Sequence, residues 1–204
     1  MTRPAATLLT LALAGIAAGE APYALQEGDI LFHGTPGQQA DAIRGATGSP
    51  YTHCGVVFQE NGQLLVLEAV QPVRTTTIEE FEKRGTPGTF HAKRLKSPPD
   101  AAGIEKAMAW GKKQLGLNYD ARFQWGDDKL YCSELVWKAF NEAGVKLCEP
   151  RRFKDYKLDH PAVKPVIEQR YGSADKLPKD EPVVAPGDLA DSKLLEEVPR
   201  VEKK

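Results

Sequence analysis

Cys132, Leu135, Val136, Ala139, Phe140 and Ala143 recur at offsets of three and four along a stretch that is otherwise polar. That spacing predicts one amphipathic helix with the cysteine at its head, and Gly144 supplies the stop. Residues 51–58 and 64–70 carry a different signal. These are β-rich runs joined across Asn61-Gly62, a pair that favours a type I′ turn and therefore a hairpin. If the turn sets Glu60 opposite Gln63, counting back puts Gly55 opposite Glu68 and His53 opposite Val70. His53, Gly55 and Glu68 then share one face, with Glu68 on the diagonal from His53, about 7–8 Å between backbones. Cys54 points to the other face and is expected to lie outside that cluster.

The remaining elements follow from local signals. Gly28-Asp29-Ile30-Leu31-Phe32 reads as a short strand. Pro36-Gly37 opens a helix over residues 38–47, with Ala42, Ile43 and Ala46 as its apolar side, and Gly48-Ser49-Pro50 closes it. Thr77-Ile78-Glu79-Glu80 is a capping box for a helix ending near Gly85. Residues 89–95 read as another strand. Asp100 caps a helix over residues 101–115 with Ile104, Ala107, Met108 and Leu115 inward and Gly116 at its end. A charged helix is expected around residues 162–171. The Pro-rich polar stretch after Ser173 reads partly as a surface strap and partly as disordered chain.

Composition narrows the class. The chain has 204 residues and a formal net charge of −1, which offers no basic patch for a nucleic-acid partner. Arg3 followed by an apolar run to Ala18 and small residues at Ala17 and Gly19 fits a secretory signal over residues 1–19, cleaved near 19–21. The run is short for a membrane span, so no integral membrane segment is expected after cleavage. One domain over residues 22–190 is expected, with a polar tail over residues 191–204. This places the mature protein outside the cytoplasm, in a bacterial periplasm or secreted. Three cysteines in an exported chain is an odd count, so at least one thiol is unpaired within the chain. A Cys54–Cys148 disulfide stays open. His33, His53, His91 and His160 are scattered and no C-x-x-C pair occurs, so no metal or other cofactor is expected.

On an apolar stripe a lone cysteine reads first as a small core residue. A base and an orienting group change that reading. At a helix start the unsatisfied N–H groups favour the thiolate, and the hairpin supplies an imidazole, His53, with a carboxylate, Glu68, beside it. Glu68 sits among Leu64, Leu65, Val66, Leu67, Ala69 and Val70, where an unpartnered carboxylate would be costly. Cysteine, imidazole and polar orienter are the parts of a thiol hydrolase. Tyr131, next to the cysteine, is a candidate for holding the oxyanion or for packing. Asp120 reads as a loop-binding residue. Ser133 lacks the elbow motif of a serine nucleophile, and Cys148 reads as structural.

The ordered motifs Gly28-Asp29-Ile30-Leu31-Phe32, Ala42-Ile43-Arg44-Gly45-Ala46-Thr47, Ser49-Pro50-Tyr51-Thr52-His53, Leu67-Glu68-Ala69, Gly116-Leu117-Asn118-Tyr119-Asp120 and Tyr131-Cys132-Ser133-Glu134-Leu135 resemble the YiiX-like permuted papain-like amidases of the wider NlpC-type superfamily. The resemblance spans residues 24–186 or so. It implies a circularly permuted papain-like α+β fold, a mainly antiparallel sheet packed against the cysteine-bearing helix. It also implies Cys132 as nucleophile, His53 as base and Glu68 in the third position. The expected activity is hydrolysis of an amide bond in a small peptide, such as a cell-wall peptide, or in an N-acylated compound. Acyl transfer on the same fold and a non-catalytic binding module are the alternatives.

Overall fold

The computed structural model describes residues 22–201, so the expected signal segment over residues 1–19 lies outside the described residues. Six strands form the main sheet: β1 (Ile30–His33), β2 (His53–Glu60), β3 (Gln63–Glu68), β4 (Arg74–Thr77), β5 (His91–Leu95) and β10 (Leu195–Glu197). Their order is β10-β5-β1-β2-β3-β4, and every neighbouring pair is antiparallel. Two small pairs flank it: β6 (Asn118–Tyr119) with β7 (Lys129–Leu130), parallel, and β8 (Arg151–Arg152) with β9 (Pro182–Val183), antiparallel. The helices are α1 (Gln38–Thr47), α2 (Ile78–Lys83), α3 (Ala101–Lys113), α4 (Cys132–Glu142), α5 (Lys164–Tyr171) and α6 (Pro186–Ala190).

Alternation along the strands sends two sets of side chains to two faces. Ile30, Phe32, Cys54, Val56, Phe58 and Leu67 pack with Ala107 and Met108 of α3 and with Leu135, Val136 and Phe140 of α4. Leu31, Val57 and Val66 face the other way, against Phe81 of α2 and Val198. Away from the sheet, Ala42 of α1 meets Val163, Val166, Ile167 and Leu177 in a third apolar cluster.

The Asn61-Gly62 turn forms as its residue types require, with φ of 49° and 79°, and it sets Glu60 opposite Gln63 and Val56 opposite Leu67. The Thr77 capping box also forms: its hydroxyl accepts from Glu80 N–H at 3.1 Å. Other expectations need correction. Leu115 lies beyond the end of α3 and is 45% exposed rather than inward. The segment after residue 190 is not a mere tail. Leu195 and Val198 are buried, and β10 extends the sheet by pairing with β5. Two apolar residues flanking a pair of glutamates are too short a pattern to announce a strand, and only the waiting edge of β5 makes it one. The three cysteines are all free thiols.

Candidate active site

β2 and β3 carry two of the expected residues. His53 opens β2 and Glu68 closes β3, and the hairpin register brings His53 Nε2 to 2.6 Å from Glu68 Oε2. Gly55 stands between them for a steric reason. A Cβ there would come within 2.5 Å of Val66 Cγ1 and 3.0 Å of the Leu67 carbonyl oxygen, so a side chain would push β3, and Glu68 with it, away from β2.

Glu68 is fully buried, which the desolvation of a carboxylate opposes. Its partners are His53 and the Arg84 guanidinium, which donates to Oε1 from the end of α2. Burial pushes the Glu68 carboxyl up, but the hydrogen bonds and charges of His53 and Arg84 outweigh it and hold the group below the ordinary carboxylate value. Nothing in the sequence singles out Arg84. It reaches the site only because β4 and α2 fold back over the Glu68 face, a long-range event with no local signal.

Cys132 is the first residue of α4, and its sulfur meets two neighbours from one strand end. The Cys54 thiol and backbone N–H and the His53 ring all lie near enough to act on that sulfur. The Cys54 hydrogen bonds and the His53 charge outweigh burial and draw the Cys132 thiol well below its usual value. Burial would depress His53, yet its bonds to Cys132 and Glu68 raise it to about 9. With Nε2 given to Glu68, Nδ1 is the ring nitrogen left for the sulfur. Cys54 therefore belongs to the cluster, contrary to the expectation from strand alternation. It does point to the opposite face from Glu68, but that is the face on which α4 packs, so Cys132 lies between Cys54 and His53. Burial keeps the Cys54 thiol itself protonated.

A cavity of about 790 Å³, counting its open mouth, runs from Cys132 between α1 and α5. Its walls are largely apolar, including Ala42, Ile43, Val163, Val166 and Ile167, with Tyr119, Tyr131, Gln39 and Arg170 among the polar side chains that line it. Tyr131 lines it too, but its hydroxyl accepts the Val184 N–H at 3.2 Å, which ties it to the segment leading into α6. Tyr119, which the sequence does not mark as a site residue, lies close enough to Cys132 for the thiolate charge to raise its phenol further above a value already lifted by burial. Asp120 accepts from Arg122 N–H and Gln124 N–H, the loop-binding role its position suggests. His33, opposite His53 in the β1–β2 register, stacks on Phe81 at 4.4 Å and lies 5.2 Å from His53 between ring centroids. Burial and then the His53 charge lower it to about 3, so it is a neutral wall.

Comparisons with known proteins give the chain its family. Residues 24–199 match the profile of the permuted papain-like amidase enzymes of the YaeF/YiiX type, the C92 family. The chain belongs to that family of cysteine amidases. Uncharacterized protein YiiX of Escherichia coli strain K12 is 34% identical over 171 residues, covering 83% of this chain and 84% of that one. The crystal structure of yiiX from Escherichia coli O157:H7, a protein described as a metalloprotein, superposes with a TM-score of 0.80 at 33% identity, covering 89% of this chain and 99% of that one. Among the described residues of this chain no three His, Cys, Asp or Glu side chains are grouped to hold a metal ion.

Proposed function

We propose that this chain is a cysteine amidase whose substrate places an apolar acyl group in the cavity beside Cys132. One observation carries the reading: Cys132 stands at the wall of that cavity, His53 acts on its sulfur, and His53 is hydrogen-bonded in turn to the buried Glu68 carboxylate. The Cys132 thiolate attacks the amide carbonyl carbon and a C–S bond forms. Protonated His53 gives its Nδ1 proton to the departing amine as the C–N bond breaks. Neutral His53 then takes a proton from water, which cleaves the thioester and frees the acid. Glu68, charged and anchored by Arg84, accepts the Nε2–H and holds the ring in that orientation. The Cys132 backbone N–H, at a helix start, and the Tyr119 hydroxyl stabilise the oxyanion.

The substrate class is an acylated amide or a small peptide with an apolar acyl side, and no nucleic acid is involved. The leader pattern supports export, so a reporter fused to the C-terminus should fractionate with the periplasm in a bacterial host. The principal test is hydrolysis of acetyl, octanoyl and dodecanoyl p-nitroanilides together with labelling by iodoacetamide. The expected result is faster hydrolysis of the longer chains, and loss of both hydrolysis and labelling in Cys132→Ala. Undiminished labelling of Cys132→Ala, or unchanged turnover in His53→Ala, sinks the assignment. The same apolar cavity suits transfer of the acyl group to an alcohol or amine. An acyl adduct formed on adding an amine acceptor separates transfer from hydrolysis.

A further inference from the structure

We infer that Gln39 and Arg170 are positioning residues that turn the Tyr119 hydroxyl proton toward Cys132. The inference rests on the reading of Cys132 as nucleophile and Tyr119 as oxyanion donor. All four residues line one cavity, and they arrive on separate elements: Gln39 on α1, Arg170 on α5, Tyr119 on β6 and Cys132 on α4.

Proton counting makes the case. A guanidinium has donors and no acceptor, so the Gln39 atom that meets Arg170 Nη2 must be the carboxamide oxygen. That removes the usual freedom to exchange the two ends of the amide. Nε2 is then the end facing Tyr119, at 3.0 Å from its hydroxyl, and it donates. The Tyr119 oxygen thereby accepts, and its own proton is left to be given away. Among the described residues no side chain or carbonyl accepts it. The open direction is the cavity that Cys132 shares. Arg170 suits the first position because no carboxylate among the described residues pairs with it. Its guanidinium lies over the Phe123 ring at 4.9 Å, which leaves the Gln39 oxygen as its hydrogen-bond acceptor. The series Arg170, Gln39, Tyr119 therefore runs one way, each group donating toward the reacting centre.

Two reagents separate this role from simple packing. With p-nitrophenyl dodecanoate the thiolate attacks the ester carbonyl, passes through an oxyanion and expels p-nitrophenolate. With iodoacetamide the sulfur displaces iodide at a saturated carbon, and no oxyanion develops. Gln39→Glu keeps the shape and the Arg170 contact but can only accept, so the Tyr119 proton turns to residue 39. Acylation of the full chain should then slow by about 10²-fold, the usual effect of losing one oxyanion donor, while alkylation keeps its rate. Tyr119→Phe should show the same loss, and the double variant no more than either. Arg170→Lys, still a donor, should lose less than Arg170→Met, and that pair serves if Gln39→Glu does not fold. Gln39→Glu acylating at the parental rate overturns the relay. If Tyr119→Phe is slow in that case, the oxyanion reading survives alone. If Tyr119→Phe is also at the parental rate, that reading falls too, and a Cys132 inert to both reagents removes the nucleophile and the relay together.

Discussion

The charges of three residues depend on one another, which gives the site a defined pH response. His53 is raised from 6.5 to about 9. A raised imidazole adds stability that is complete below the ordinary value and is lost as pH climbs through about 9. Removing the thiolate with Cys132→Ser leaves Glu68 as the main group holding the proton on His53. The imidazole titration should therefore move to lower pH, and the alkaline decline of stability should move with it. Imidazole resonances followed by NMR in both proteins check this, and an unmoved titration would show that Cys132 carries no charge. Glu68 runs the other way. Its value is lowered, so its contribution is present above the ordinary carboxylate range and is lost as pH falls through the depressed value. Arg84→Ala withdraws the cation from a fully buried carboxylate. The expected cost is about 1–3 kcal/mol, the range for a buried polar group losing one partner, and acid inactivation should begin at higher pH. Arg84→Lys should recover part of both in urea titrations at several pH values. At this scale the sequence was informative where chemistry is local. A carboxylate inside an apolar run demands a partner, and the hairpin named His53. Arg84 and Cys54 were hidden because their contacts depend on which face another element covers.

Elements show the same division. The β2–β3 hairpin was legible because a favoured turn pair joins two β-rich runs and by itself sets the register from which the facing residues are counted. The cysteine helix was legible because its apolar stripe is long. β4, by contrast, is Arg74-Thr75-Thr76-Thr77, with no apolar alternation, and it becomes a strand by pairing with β3. The hairpin also carries the most specific steric demand in the site. Gly55→Ala would set a methyl 2.5 Å from Val66 Cγ1. Overpacking of this kind costs about 1–3 kcal/mol, and the relief available is to part β2 from β3, which lengthens the 2.6 Å His53–Glu68 contact. The variant should unfold at lower urea concentration, and its folded fraction should hydrolyse amides more slowly. Full activity per folded molecule would mean that the Gly55 space is not what seats Glu68.

Across the whole molecule, the C-terminal segment closes the structure around the site. Val184, Leu189 and Ala190 join the core that holds Cys132, and the Ser133 hydroxyl donates to the Val184 carbonyl at 2.6 Å. Val184 N–H donates to Tyr131, so the residues on either side of the cysteine are both tied to one later segment. β10 then crosses to the far edge of the sheet, where Val198 N–H donates to the Ala92 carbonyl and Tyr23 bridges to Arg200. A chain ended at residue 190 would keep the Val184 contacts but expose the edge of β5 and remove buried Leu195 and Val198. Each such side chain contributes about 1.5–3 kcal/mol when fully buried, a large part of the 5–15 kcal/mol typical of a domain. The shortened chain should therefore melt well below the parent and associate through the bared β5 edge. Because the ties at Val184 survive, whatever remains folded should still be alkylated at Cys132 at the parental rate. Melting curves, light scattering and iodoacetamide kinetics on the two chains read these effects separately. A truncated chain that melts with the parent would show that β10 decorates the sheet without supporting it.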